Sequence, residues 1–517
     1  MAPSAVPIDG FGFGGLTESA QLPPTAKLAN IGLSVDETAV TVPPHPLGIK
    51  PSGNAYTASQ NLKSACPGFS SLTDDLIIQI LEFCDDSSLL RLGATCKALY
   101  AFTRFDELWK ALFLEYISLF FTVVLDTLLK NPSDFTWLGT WRNTYLSLPP
   151  CHTSHIPCTN LFSDALHRPF FCAHTPLTPY VTNIPPQNQI ARLSNLSLES
   201  FTADWSDKPF ILTDPVQQWP VYRQWSVETL LDRYRDVKFI AEAVEWTMKD
   251  YLDYMNNSSD ESPLYLFDRR FVQTMGLTVG ETEGADYWIP ECFGEDLFSV
   301  LGLQRPHDRW LIIGPERSGS TFHKDPNATS AWNAVIRGAK YWIMFPGTPT
   351  SPLPPGVFVS SDQSEVTSPL SIAEWLLGFH SEARRMKGCI EGICGEGEVL
   401  HVPSGWWHLV VNIAPSIAIT QNFIPRAHLP AALSFLKDKP DQVSGFSENV
   451  KNQYELFVQR MREQHPNILE EGIEKLNRMK EGRKRKWEEL IKNDSPDHEA
   501  RGGFSFGFGD DDLEDVP

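Results

Sequence analysis

Between residues 310 and 423 the chain runs through short stretches in which apolar and polar side chains alternate, broken by Gly and Pro, and this pattern commits it to β-structure. The stretches are 310–313, 329–336, 339–345 and 416–422, together with 397–412, which reads as strand, Pro403-Ser404-Gly405 turn, strand. Side chains two apart on a strand share a face. In Ser320-Thr321-Phe322-His323-Lys324-Asp325, the imidazole of His323 and the carboxylate of Asp325 therefore project side by side from one strand end. On the later strand His408, Val410 and Asn412 share one face, and Leu409 and Val411 the other.

Two imidazoles and one carboxylate make the ligand set that non-haem iron(II) takes in oxygenases, leaving three octahedral positions open. Lys340 stands among aromatic and aliphatic residues, where an unpaired ammonium is costly, so it calls for a counter-anion. Asn333 lies on the strand between Asp325 and Lys340, and Thr420 and Asn422 sit two apart on the last strand. A cation, hydroxyls and amides facing a metal suit a dicarboxylate co-substrate, its far carboxylate on Lys340 and its keto-acid end on the metal.

The segments GPERSGSTFHKDP (314–326), TSAWNAVIRGAKYWIMFP (329–346), GEVLHVPSGWWHLVVN (397–412), SIAITQNF (416–423) and SPLYLFD (262–268) carry a resemblance. Over about 190–430 the chain resembles the jumonji-C family of iron and 2-oxoglutarate oxygenases. Within it, the resemblance is to the lysyl-hydroxylase branch whose founding member was once called a phosphatidylserine receptor. The resemblance implies a double-stranded β-helix, the cupin-like barrel, with an interior that holds ligands. It implies that His323, Asp325 and His408 bind Fe(II), and that Lys340, Thr420, Asn333 and Tyr265 hold 2-oxoglutarate. Ser320 matches a position that is a small hydroxyl residue in the relatives, and Asn422 lies nearby. The three ligand positions show no departure from the family pattern. The implied activity is oxidation of a protein side chain, with lysyl hydroxylation favoured. N-methyl demethylation, a binding-only adaptor, and a zinc or manganese cupin such as a sugar isomerase are the alternatives.

Residues 72 to 116 change to a helical period. Thr73 can cap a helix whose first turn holds Asp74 and Asp75, and Leu76, Ile77, Ile80 and Leu81 fall on one face. The stretch LTDDLIIQILEFCDDSSLLRLGATCKALYAFTRFDELW resembles an F-box, with Leu72-Thr73 where the usual opening is Leu-Pro. That resemblance implies docking on the Skp-type adaptor of a cullin ubiquitin ligase through residues 70–113; a plain helical bundle is the other reading. The apolar run 111–129 is interrupted by Glu115 and Asp126 and followed by Pro132. An acid inside a span is expensive, so the run is expected as a helix packed on the next domain, and no membrane contact is expected.

At 517 residues the chain holds more than one domain. The expected layout is a disordered tail over 1–66, the F-box domain with its apolar insertion over 67–146, and a Pro-rich linker over 147–189. The barrel then spans 190–430, helices 431–495 and an acidic disordered tail 496–517. An α+β multidomain fold results. A helix is expected within 371–387 and a surface loop over 347–369. The net charge of −21 and pI near 5.0 argue against a general grip on nucleic acid, while leaving a basic peptide substrate open. Nine cysteines, an odd number, with no secretory signal at the start point to free thiols in a reducing compartment. Cys151, His152, His155, Cys158, His167, Cys172 and His174 fit no standard zinc spacing and read as free thiols and surface histidines. Cys389 and Cys394 read as loop residues. Phe-Gly repeats near both ends (11–14 and 504–509) read as sticky tails, with docking motifs the alternative. Arg483-Lys484-Arg485-Lys486 points to the nucleus, with a solvated helix face as the other reading.

Overall fold

The computed structural model describes residues 42–66, 68–122, 136–149, 155–280, 284–348, 351–360, 366–368 and 370–493. Both Phe-Gly tails, residues 123–129 of the apolar run, and Cys151 and His152 lie outside the described residues.

The helical part comprises α1 (Asp74–Glu82), α2 (Asp86–Gly93), α3 (Lys97–Phe102), α4 (Asp106–Thr122) and α5 (Trp141–Leu146). Thr73 starts α1 by accepting from Leu76 N at 3.3 Å, and Asp85 starts α2 by accepting from Ser88 N at 2.8 Å. The expected apolar face of α1 divides. Ile77 and Leu81 are buried, whereas Leu76 and Ile80 remain exposed, next to a Phe83 that is 93% exposed. The apolar run does pack as a helix on the next part of the chain, as far as its described side chains go. Phe113 of α4 lies 5.4 Å from Trp141 and 6.1 Å from Trp246, and Trp141 stacks on Trp246 at 5.9 Å. Among the described residues no helix is long and apolar enough to cross a membrane.

The barrel, with two small hairpins beside it, comprises β1 (Ala191–Leu193), β2 (Phe210–Leu212), β3 (Lys238–Ala241), β4 (Val244–Thr247), β5 (Leu266–Asp268), β6 (Arg309–Gly314), β7 (Gly319–His323), β8 (Ser330–Phe345), β9 (Phe358–Val359), β10 (Val366–Thr367), β11 (Ile390–Gly395), β12 (Val399–Val402) and β13 (Trp407–Phe423). Its sheet runs in the order β1-β2-β12-β8-β13-β6-β5, with β11 also on β8 and β7 also on β13. The hairpins β3–β4 and β9–β10 stand apart, the latter inside the expected surface loop. The four runs 329–336, 339–345, 407–412 and 416–422 are not four strands. They are the two long strands β8 and β13, antiparallel from Ser330↔Phe423 to Phe345↔Trp407. The ladder is irregular where Gly338 meets Pro415. Gly338 has φ +80°, and a Cβ there would fall 2.2 Å from the Pro415 carbonyl oxygen, while the pairing register slips between Asn412 and Ala418. Gly and Pro, read as turns, are here an irregularity in a continuous ladder.

Both faces of β8 are covered. Ala331, Val335, Trp342 and Met344 join Leu400 and Val402 in the barrel interior. Tyr341, Ile343 and Phe345 point outward with Leu409 and Val411, under the helix Ile372–Ala383, which forms within the expected 371–387 window. Trp332, Ala334 and Ile336 face the helical side. Burying each large side chain contributes roughly 1.5–3 kcal/mol. The helices Leu429–Asp438, Gln453–Gln464 and Pro466–Asn493 close one end through Leu433, Leu436, Phe457 and Met461 against Phe298 and Ile424.

Three expectations need correction. The stretch 42–66 is not a disordered tail: Leu47 and Ile49 are buried, and Lys50 bridges to Phe162. The stretch 155–189 is not a surface linker: it holds α6 (Asp164–His174), capped by Ser163, and buries Cys158, Leu161 and Cys172 completely. The two segments supply one another's partners, Cys158 N donating to the Leu47 carbonyl at 2.7 Å, which is why neither shows a periodic signal alone. Cys394 is not a loop residue: it lies within β11, while Cys389 does stand in the loop just ahead of that strand, and both are buried. The described cysteines are all free thiols.

Candidate active site

β7 and β13 lie side by side with His323 paired to His408, which brings the two rings to 4.2 Å between centroids. That closeness depends on Gly319, where a Cβ would fall 2.0 Å from the Val410 carbonyl oxygen. Each imidazole is oriented through Nδ1, His323 to the carbonyl of Thr321 at 2.8 Å and His408 to that of Trp406 at 3.0 Å. A carbonyl accepts only, so Nδ1 carries the proton in both rings and Nε2 presents a lone pair. Burial holds His408 down to about 4, and burial with the neighbouring His408 lowers His323. Both rings are neutral at pH 7 and fit to ligate.

Asp325 follows β7, two residues after His323. Its Oδ1 accepts from Asn422 Nδ2 at 3.4 Å, and its Oδ2 is buried without a hydrogen-bond partner among the described residues. Burial raises its pKa to about 6. Among the described residues no three His, Cys, Asp or Glu side chains form a ready-made metal cage. What the structure offers is a pair of adjacent imidazoles whose Nε2 atoms are left to a ligand and, two residues beyond His323, a buried carboxylate with one orphaned oxygen among the described residues. That donor set fits a ferrous ion held on one face, since a buried carboxylate oxygen left alone is costly.

Lys340 enters the interior from β8 opposite Asn412 of β13. It is 3% exposed, and its Nζ donates to Asn412 Oδ1 at 2.7 Å. Burial lowers its pKa to about 7. Asn412 is fixed in turn, accepting from Ser416 Oγ at 2.8 Å and donating to Ser318 Oγ at 2.9 Å. His408 and Asn412 are four residues apart on one face, a separation of about 13 Å along a strand, which a diacid between a metal and the lysine can span. Asn333 is buried with its Oδ1 unpartnered among the described residues, and it pairs in register with Thr420. The Thr420 hydroxyl donates to the Trp332 carbonyl at 2.9 Å. Tyr265, just ahead of β5, shares a hydrogen bond of 2.8 Å with Ser320. Asn422 also donates to Thr329 Oγ1 at 3.0 Å, tying the Asp325 turn to β13.

Sequence reasoning assigned no role to Asn412, Ser318 and Ser416, which together hold Lys340. The signal was present: Asn412 is a polar residue on the same strand face as His408. Cys394, read from the sequence as a loop residue, is paired in register with Lys340.

A cupin-like domain family matches residues 203–428, and an F-box-like family matches residues 69–115. The chain is 35% identical over 468 residues to the Arginine-specific demethylase JMJ22 of Arabidopsis thaliana, covering 87% of this chain and 88% of that protein. It is 33% identical over 306 residues to the Bifunctional arginine demethylase and lysyl-hydroxylase psr-1 of Caenorhabditis elegans, covering 56% of this chain and 72% of that one. It is 30% identical over 141 residues to the 2-oxoglutarate and iron-dependent oxygenase JMJD4 of Danio rerio, covering 26% and 31% respectively.

Proposed function

This chain belongs to the JmjC family of 2-oxoglutarate- and iron-dependent oxygenases and carries an F-box, and on that premise we propose that it hydroxylates protein side chains, lysine first among them. In this reading His323, Asp325 and His408 hold Fe(II). Lys340, Asn333, Thr420 and Tyr265 hold 2-oxoglutarate, with Ser320 and Asn422 supporting them. The observation that carries it is the His323–His408 pair, Nε2 lone pairs free, beside the orphaned Oδ2 of Asp325.

When bound, iron, 2-oxoglutarate and dioxygen supply the oxidation that inserts oxygen into a C–H bond. The chain's own groups do the positioning. The backbone carbonyls of Thr321 and Trp406 fix which nitrogen of each imidazole faces the metal. Lys340 offers a cation at the far end of the pocket, where a carboxylate relieves its burial better than the Asn412 amide does. Trp342, Met344, Leu400 and Val402 keep the interior apolar and exclude water.

The same site acting on an N-methyl group would remove it, because the hydroxylated product collapses. The similarity to an arginine-specific demethylase over 87% of the chain favours that second reading. Mass spectrometry of basic peptides incubated with the protein, Fe(II) and 2-oxoglutarate separates the two: gain of one oxygen, or loss of a methyl group. Succinate formation undiminished in His323→Ala would overturn the site assignment.

The exposed apolar patch of Leu76 and Ile80 on α1 and Phe83 just after it suits docking of a Skp-type adaptor. A nuclear location, suggested by residues 483–486, is tested by imaging a variant with those four basic residues replaced by Ala.

A further inference from the structure

Tyr265 is held by a relay that begins outside the barrel. Asp260 is buried, and its carboxylate accepts from three side chains. Lys110 Nζ on α4 reaches Oδ2 at 3.2 Å. Trp141 Nε1 on α5 reaches Oδ1 at 3.0 Å and Oδ2 at 2.8 Å. The Tyr254 hydroxyl, on the helix Met248–Asn257, donates to Oδ2 at 2.8 Å. Two of these three donors belong to the helical part that contains the F-box.

The relay continues towards the pocket. The same Tyr254 hydroxyl accepts from Leu264 N at 2.8 Å, one residue before Tyr265. On the other side, the Tyr251 hydroxyl accepts from Leu266 N at 3.0 Å and donates to the Ile313 carbonyl at 2.6 Å. Glu242 accepts from Tyr265 N itself at 3.2 Å, and Lys110 also donates to the Ser262 carbonyl at 3.3 Å. Every backbone amide from Leu264 to Leu266 is thus held by a side chain rather than by a sheet neighbour alone.

We propose that Lys110, Trp141 and Asp260 are positioning residues for the oxygenase site, fixing through Tyr254 the segment that presents Tyr265 to 2-oxoglutarate. This rests on the reading of Tyr265 as a co-substrate contact. A hydrogen-bonded network of this kind, buried and satisfied at each member, holds one geometry because every alternative leaves a polar group unpaired. Two helices of the F-box-bearing part, α4 through Lys110 and α5 through Trp141, are therefore supports of the catalytic pocket.

The test uses the full chain and two readouts. The first is backbone hydrogen exchange over residues 260–268 in the protein without cofactor. The second is equilibrium binding of 2-oxoglutarate in the presence of Mn(II) under nitrogen. Lys110→Met and Tyr254→Phe are expected to speed exchange at Leu264 and Leu266, with β8 and β13 unchanged, and to weaken 2-oxoglutarate binding about three- to tenfold. Lys110→Arg, which keeps the charge, is expected to restore both. Tyr254→Phe removes a single hydroxyl and serves if Lys110→Met does not fold. Unchanged exchange at Leu264 in Tyr254→Phe overturns the proposal, as does faster exchange with unchanged 2-oxoglutarate affinity when Tyr265→Phe does weaken binding. If Tyr265→Phe leaves the affinity unchanged, the reading of Tyr265 fails. The proposal then fails with it as a statement about the co-substrate, whatever the exchange shows.

Discussion

Lys340 Nζ lies 2.7 Å from Asn412 Oδ1, a buried cation facing a neutral amide across the two long strands of the barrel. An amide oxygen compensates a buried ammonium only in part. Under the proposed function the pair would receive a carboxylate; burial brings the lysine's pKa down to about 7.

Lys340→Met follows first. It removes a charge-assisted hydrogen bond, worth about 1.5–3 kcal/mol, from the bound diacid. KM for 2-oxoglutarate is expected to rise roughly 10- to 100-fold, while the thermal midpoint of the cofactor-free protein holds or rises because no buried charge remains. Steady-state kinetics and calorimetry check the two halves separately.

The pH dependence has a definite sign. Lys340 loses its proton near pH 7 in the folded chain and near 10.5 in an ordinary setting. Between those values the unfolded chain binds more protons, so this lysine's contribution makes the fold more stable as pH rises from about 7 to about 10.5. Affinity for 2-oxoglutarate runs the other way, since a neutral amine attracts no carboxylate. It is expected to fall by up to about tenfold per unit above pH 7. Binding titrations at pH 6, 7 and 8 would show it, and a flat profile would remove Lys340 from the contact.

Asp325→Asn exchanges a buried carboxylate carrying an orphaned oxygen for a neutral amide. Urea unfolding of the cofactor-free variant is expected to show a gain of about 1–3 kcal/mol, with iron binding lost. A variant that is less stable and still binds iron would contradict the assignment.

Phe83→Asp places a charge on a side chain that is 93% exposed. Stability is expected to stay within about 0.5 kcal/mol of the parent, and 2-oxoglutarate turnover to be unchanged. Co-purification with a Skp-type adaptor should be lost, and Leu76→Asp should act in the same direction.

Arg384→Ala strands a completely buried carboxylate. The guanidinium reaches Glu391 from Nε at 2.8 Å and 3.0 Å, and Glu391 also accepts from Tyr341 on the outer face of β8. Removing one partner of such a pair costs about 3–5 kcal/mol, measurable as a lowered urea midpoint.

The sequence by itself determined what is local. The two-residue period put His408 and Asn412 on one face of β13, because a strand alternates its faces wherever it lies. Thr73 started its helix where capping chemistry said it would. The resemblance then supplied the family and the ligand set. Only the tertiary structure decided what depends on distant partners. It joined four apparent strands into two, because Gly338 can take a positive φ where it meets Pro415. It ordered 42–66 and 155–189, because each covers the other's apolar residues and neither can do so alone. It gave Asn412 its role, because no local pattern shows which amide will stand opposite a lysine on a strand seventy-odd residues earlier in the chain. Side-chain direction is set by the backbone nearby, but which backbones become neighbours is settled by burying all the apolar surface at once.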